Sequence, residues 1–264
     1  MFISYINPVL AKIGPLEIRY YGIIYAIGLV ITYFFLNYLA KQRKLGIKKQ
    51  EIADYLFYSI IGLIVGARIF YILFYNLSYY AANPSKLFAV WEGGLSWHGG
   101  LAGLVVVTII FCRVKKWNFW EISDLMVIPI SVCLMLGRIG NFLNSELYGR
   151  LSNVPWAVKF PDVEGFRHPS QLYESFKNLV IFSVLWNIKD KKLPKGVLFS
   201  WFLVLFSGLR FLIEFFRQPD AQLGFVLGPL SMGQVLNIPV FAVGICLLIY
   251  FHKTYKLAEI QNKK

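Results

Sequence analysis

Apolar residues dominate seven long runs of this chain, and polar residues collect in the gaps between them. The runs cover 20–40, 55–76, 97–112, 119–137, 171–188, 196–216 and 231–251. About 20 apolar residues in helical form cross a hydrocarbon core of roughly 30 Å, so each run predicts a transmembrane helix. The third is short. The fifth is the weakest, because Glu174 and Lys177 interrupt its first turns. The expected fold is an all-α polytopic integral membrane protein, about seven transmembrane helices forming a single domain over 1–264. Two long connections, about 77–96 and 138–170, lie on one side of it and carry most of the Gly, Asn, Pro and Trp outside the spans. Long irregular segments are where sites tend to be built.

Composition agrees with that class. Hydrophobic residues make up 57% of the chain and charged residues 16%, with a mean hydropathy of +0.57. A soluble domain carries about 25% charged residues. The N-terminal stretch MFISYINPVLAKIG has no basic segment leading into an apolar one and no small-residue cleavage site, so the first long apolar run is expected to be a retained span.

The net charge of +13 first suggests a nucleic-acid partner, but its distribution gives a different meaning. Segments 41–52, 113–118, 189–195 and 252–264 hold 16 Lys/Arg against three acids, an excess equal to the whole net charge. The opposite side holds eight Lys/Arg and six acids. By the positive-inside bias the basic face is cytoplasmic, which puts the N-terminus outside and the C-terminus inside. No nucleic-acid partner is implied. Cys112, Cys133 and Cys246 fall in or at the end of apolar runs and read as buried thiols, and three histidines without a Cys/His cluster do not make a zinc site.

Four polar stretches need a reason, and all lie at outer ends of spans: RYYG (19–22), WEGGLSWHGG (91–100), GRIGNFLNSELYG (137–149) and LRFLIEFFRQPD (209–220). In the last, Arg210, Glu214 and Arg217 share one helix face by their i, i+4, i+7 spacing. An arginine in an apolar run costs about 3 kcal/mol on insertion scales. The pair Arg210–Glu214 either neutralises itself between helices or lets Glu214 orient a guanidinium toward an anionic ligand, whose phosphate geometry a guanidinium matches. In the third stretch, Gly137 and Gly140 let the backbone turn or approach a ligand closely, Asn141 and Asn144 donate or accept, and Arg138 adds a fixed charge. Two arginines converging from different spans favour an anion site. His98, among glycines at the interface, is either a hydrogen-bonded structural residue or a proton carrier. Arg68 reads by default as a helix-pairing charge. His168 and Gln171 line the site or cap the fifth span, and Ser170 is the expected N-cap.

At these residues the chain resembles the bacterial phosphatidylglycerol–prolipoprotein diacylglyceryl transferases. GRIGNFLNSELYG matches that family's signature G-R-x-G-N-F-x-N-x-E-x-x-G at every fixed position. RYYG, HGGL (98–101), RHPSQLYE (167–174), EFFRQPDAQ (214–222) and SMGQ (231–234) resemble further family segments in the family's order, so the resemblance spans nearly the whole chain. The connection after Arg150 is compact, where some members carry a larger insertion before RHPSQLYE.

The resemblance implies transfer of the diacylglyceryl group of phosphatidylglycerol to the lipobox cysteine thiol of a preprolipoprotein. Glycerol phosphate is released, and no metal or organic cofactor is used. It implies a multi-pass protein of the bacterial inner membrane, in contact with membrane lipids, with its active site toward the outer side. The family's important residues map to Tyr21, His98, Arg138, Asn141, Glu146, Gly149, Arg210 and Glu214. Of these, His98, Arg138, Arg210 and Glu214 are expected in catalysis, and Tyr21, Arg138, Asn141, Glu146, Gly149 and Arg210 in substrate binding. The rival expectation, from the residues alone, is a secondary transporter or binding protein for an anionic solute.

Overall fold

The computed structural model describes residues 2–3, 7–14, 16–161, 163–218 and 225–261. Positions 219–222 of the EFFRQPDAQ segment, and the tail lysines Lys263 and Lys264, lie outside them. Eight helices dominate: α1 (Tyr20–Gln42), α2 (Lys49–Tyr75), α3 (Leu77–Ala82), α4 (Trp97–Val114), α5 (Phe119–Leu143), α6 (Ser170–Ile188), α7 (Val197–Ile213) and α8 (Met232–Gln261). All but the short α3 coincide with the seven apolar runs. Five of them, α1, α2, α4, α5 and α8 over Met232–Lys256, are long and apolar enough to cross a membrane. Helix α7 is apolar but has 17 residues.

The chain divides into two compact units, one of Met1–Phe35 with Ser123–Lys264 and one of Leu36–Ile122. In the second unit, α2 and α4 pack at backbone contact. A Cβ on Gly103 would overlap the Gly62 carbonyl oxygen, and one on Gly66 would overlap that of Gly99. Small residues at such a crossing let two apolar helices approach where water supplies no drive to pair them. Arg68 of α2 is buried, its guanidinium 4.9 Å from the centre of the Tyr80 ring of α3, and its bonds go to the connection that follows. Its five N–H groups donate to five carbonyls, those of Lys86, Leu87, Ala89, Gly93 and Gly94, at 2.5–3.1 Å. The guanidinium thus replaces secondary structure for a segment that contains only two 3₁₀ turns, Pro84–Phe88 and Val90–Glu92.

The first unit holds α6, α7 and α8, most of α1 and α5, and three small sheets. Strands β1 (Phe2–Ile3) and β4 (Val158–Lys159) pair in parallel, β2 (Val9–Ile13) and β3 (Leu16–Arg19) form a hairpin leading into α1, and β5 (Phe225–Leu227) and β6 (Leu230–Ser231) form a hairpin leading into α8. Gly196 starts α7 from a left-handed conformation, φ 93°. Its N–H and that of Phe199 both donate at 2.8 Å to Asp124 of α5, so a neighbouring helix caps α7.

The first half of helix α6 is built inside out. Ser170, Gln171, Glu174, Ser175, Lys177 and Asn178 are buried, while Leu172, Phe176 and Leu179 are exposed. In this first half the polar stripe faces protein and the apolar stripe faces outward, the arrangement that suits a helix standing in lipid and lining a polar interior, while further along Ile181 and Leu185 are buried in the ordinary way. Of the three cysteines, Cys112 is buried, Cys133 partly so and Cys246 exposed on α8, so the expectation of three buried thiols fails at Cys246. An outward thiol on an apolar helix needs only lipid around it.

Candidate active site

The polar stretches of the first unit converge at one end of it, where α5 and α7 finish and α1, α6 and α8 begin. Helix α5 does not stop at 137 but runs to Leu143, so Arg138 and Asn141 stand one turn apart on its last turns. Gly137 and Gly140 are therefore helical, and the turn expected there is absent. Gly140 has another use. A Cβ on it would lie 3.0 Å from Cδ2 of Tyr21, so the missing side chain seats the Tyr21 ring. The Tyr21 hydroxyl is in turn 3.0 Å from that of Tyr25 one turn along α1.

Glu174 is the hub. Its Oε1 accepts from Nη1 of Arg210, and its Oε2 accepts from Nζ of Lys177 at 2.7 Å. Nε of Arg138 stands 3.9 Å from the same Oε2, beyond hydrogen-bond reach. Nη2 of Arg210 lies 2.8 Å from Oε2 of Glu214, so the guanidinium spans two carboxylates from two directions. Glu214 thus lies beside Arg210, one turn on, as the i, i+4 spacing predicts; the contact with Glu174 is not among the expectations. The signal for Glu174 is its place as the single acid of the fifth apolar run, since ionisable residues at membrane depth are functional by default.

Glu214 is itself fixed by the start of α8. Ser231 Oγ donates to its Oε1 at 2.9 Å. The same Ser231 caps the helix: Gln234 N–H donates to its Oγ at 3.3 Å, and Ser231 N–H donates to Gln234 Oε1 at 3.0 Å, a reciprocal box that needs Ser and Gln three apart. Between them, a Cβ on Gly233 would sit 2.7 Å from Glu214 Oε1. Every position of SMGQ except Met232 is thus accounted for by holding one carboxylate.

The segment after α5 is tied to itself. Asn141 Nδ2 donates to Glu146 Oε1 at 2.6 Å, and Glu146 N–H returns to the Asn141 carbonyl at 3.1 Å. Gln171 Nε2 donates to the Glu146 carbonyl at 2.7 Å, and Ser170 Oγ to that of Leu147 at 3.0 Å. Ser170 is the first residue of α6, and its hydroxyl ties down this loop instead of capping the helix as expected. Gly149 is the junction of three segments. Its N–H donates to the His168 carbonyl at 2.9 Å, and Arg150 N–H donates to that of Phe216 at 2.9 Å. Arg150 Nε reaches the Arg217 carbonyl at 3.0 Å. His168 Nδ1 is 3.0 Å from the Tyr173 hydroxyl, and burial holds its imidazole below the ordinary histidine pKa.

The structure therefore brings Arg138, Arg210 and Glu214 together around Glu174, with Tyr21, Asn141, Glu146 and Gly149 on the loop and helix ends of the same unit. His98 belongs to the other unit. It is exposed in the first turn of α4, which Ser96 caps by accepting from Gly99 N–H at 3.4 Å, and its ring meets that of Trp97 edge-on at 5.3 Å. Chemically, the centre fixes the Arg210 guanidinium between two carboxylates and leaves that of Arg138 beside Glu174 without a bond to it, so its donors can serve an anion. Arg138 is the more open, its side chain 23% exposed against 12% for Arg210.

Residues 8–250 match the family model described as prolipoprotein diacylglyceryl transferase. The chain is 46% identical over 251 residues to the phosphatidylglycerol–prolipoprotein diacylglyceryl transferase of Geobacter sulfurreducens, covering 94% of this chain and 96% of the relative. It is 44% identical to the enzyme of that name from Pseudoalteromonas translucida, over 94% of each chain. To the one from Bordetella avium it is 41% identical, over 92% of this chain and 94% of the relative. The resemblance drawn from the GRIGNFLNSELYG signature is borne out: the chain belongs to the prolipoprotein diacylglyceryl transferase family.

Proposed function

We propose that this protein transfers the diacylglyceryl group of phosphatidylglycerol to the lipobox cysteine of preprolipoproteins, at the outer side of a bacterial cytoplasmic membrane. The observation that carries the reading is the convergence of Arg138 and Arg210, from two helices, on one carboxylate in a chain of this family. The sulfur attacks the glycerol carbon that bears the phosphate. A C–S bond forms, the C–O bond breaks, and its electron pair leaves on the oxygen of glycerol phosphate. Negative charge grows on that oxygen, and preorganised cationic donors aimed at growing charge are the largest usual catalytic contribution. Glu174 and Glu214 fix Arg210 before the substrate arrives, so no reorganisation accompanies the reaction.

The thiol, with an ordinary pKa of about 8.5, must lose its proton to attack. His98 takes it in this account, a role supported by side-chain chemistry and its open position at the start of α4. Tyr21 and the Asn141–Glu146 loop shape the head-group side, and Gly149 holds that loop to the end of α7. Phosphatidylglycerol and the preprolipoprotein are the partners, with surrounding membrane lipids.

All seven long helices are spans in this reading. The inside-out pattern of α6 supports its place in lipid, and 17 residues give α7 about 25 Å, nearly the hydrocarbon thickness. The lysine-rich segments support a cytoplasmic basic face, and hence an outer position for the Glu174 centre. The transporter alternative has no support from the family. Mass spectrometry of a lipobox peptide incubated with the purified protein and phosphatidylglycerol tests the reading. The expected result is a diacylglyceryl mass gain that vanishes when the peptide's cysteine is serine; a gain on the serine peptide, or none on the cysteine peptide, overturns it.

A further inference from the structure

Two arginines and two carboxylates around Glu174 already balance. Lys177 is a third cation, with a side chain 1% exposed, one hydrogen bond to Glu174 Oε2 and its Nζ 4.0 Å from the centre of the Phe206 ring. A lysine at membrane depth is costly. Buried ion pairs are commonly replaced by apolar side chains of similar volume with no loss of stability. Helix cohesion therefore does not account for it. Its position does: Lys177 occupies the Glu174 oxygen nearest Arg138, and Arg138 stays at 3.9 Å without bonding to it.

We propose that Lys177 is a positioning residue that withholds Glu174 from Arg138 and leaves the cluster with one surplus positive charge, so that Arg138 binds a monoanionic phosphodiester. The inference rests on the reading of this cluster as the phosphate site. Within the cluster, Arg138, Arg210 and Lys177 face Glu174 and Glu214, a balance of +1 that matches the single negative charge of a phosphodiester. Glu146 is in none of these ion pairs among the described residues, its carboxylate accepting from Asn141. Without Lys177 the balance is zero and Glu174 Oε2 is free to capture Arg138. Lys177 acts through Glu174, so removing both restores the surplus charge and the freedom of Arg138. A glutamine at 174 still offers an amide oxygen to Arg210.

The test is steady-state transfer by the full-length protein in detergent, with phosphatidylglycerol varied against a fixed lipobox peptide. Lys177→Met is expected to raise KM for the lipid about tenfold while kcat changes less, as expected for one charge removed near a partly buried anion. Glu174→Gln/Lys177→Met is expected to bring KM back to within about threefold of the unaltered protein, because the surplus charge is restored. An unchanged KM in Lys177→Met overturns the inference, and so does a double variant no better than Lys177→Met. The double variant is the easier to fold, since both buried partners leave together. If it alone folds, a tenfold rise in its KM overturns the inference by itself. Arg138→Ala separates the two levels: an unchanged lipid KM there removes the phosphate site itself, whatever Lys177 does.

Discussion

Adding one methyl group at Gly149 should uncouple the loop after α5 from the end of α7. A Cβ built there lies 2.5 Å from the Phe216 carbonyl oxygen and 2.7 Å from both the carbonyl oxygen and Cβ of His168. Two of the three obstacles are backbone atoms, so no side chain can swing away. Reaching an ordinary contact of 3.4 Å requires a shift of about 0.9 Å. Such a shift takes the 2.9 Å bonds Gly149 N–H to His168 O and Arg150 N–H to Phe216 O out of range. Overpacking costs about 1–3 kcal/mol, and each bond given up instead about 1 kcal/mol, so the expected loss is about 2–3 kcal/mol. Gly22 is the control. It is helical in α1 with nothing within 4 Å of a built Cβ, so Gly22→Ala should be neutral or stabilise by up to about 1 kcal/mol. Thermal unfolding in detergent, read by tryptophan fluorescence beside the transfer rate, compares the two. Gly149→Ala should melt lower and transfer poorly. Indistinguishable behaviour of the two variants would refute the steric argument.

Arg210→Lys should lower transfer at least about tenfold, because an ammonium cannot span Glu174 and Glu214 as the planar fork does; near-normal kinetics would mean that charge alone suffices. Arg68→Lys should expose the 83–95 segment to limited proteolysis, since three donors cannot replace five carbonyl bonds, and an unchanged cleavage pattern would contradict the clamp. His168 has a folded pKa below its ordinary value of about 6.5, so the unfolded chain takes up its proton first as pH falls. Its stabilising contribution is therefore present above pH 6.5 and lost as pH falls from there toward the folded pKa, and His168→Gln should flatten that part of the stability–pH curve.

Every helix but the short α3 was legible in the sequence because a long apolar run marks it, and all seven runs are helices. What misled was the rule that a polar residue ends a span. The stretch from Arg138 onward predicts a loop, yet α5 continues through Leu143, with Arg138 beside Glu174 and Asn141 bonded to Glu146, and only Asn144 lies beyond the helix. Glu174 and Lys177 weakened the fifth run for the same reason, and they are the buried centre of the site. A pattern of apolar and polar positions says which face differs, but in a membrane it does not say which face is inside. The two-to-five-residue strands around Phe2, Val9, Val158 and Phe225 were too short to leave a period. Arg210 and Glu214 were found because their i, i+4 spacing is a local signal, whereas Glu174 meets Arg210 across 36 positions and only the fold shows it.

The central claim is that the two arginines beside Glu174 receive the phosphate of the lipid as its glycerol bond breaks. The most direct measurement is single-turnover release of glycerol phosphate from phosphatidylglycerol, with a lipobox peptide in excess, by the unaltered protein and by Arg138→Ala and Arg210→Ala. The account predicts release matched one to one by diacylglyceryl peptide in the first, and release slowed by at least about a hundredfold in the variants while both remain folded. Release at the unaltered rate from either folded variant would contradict it.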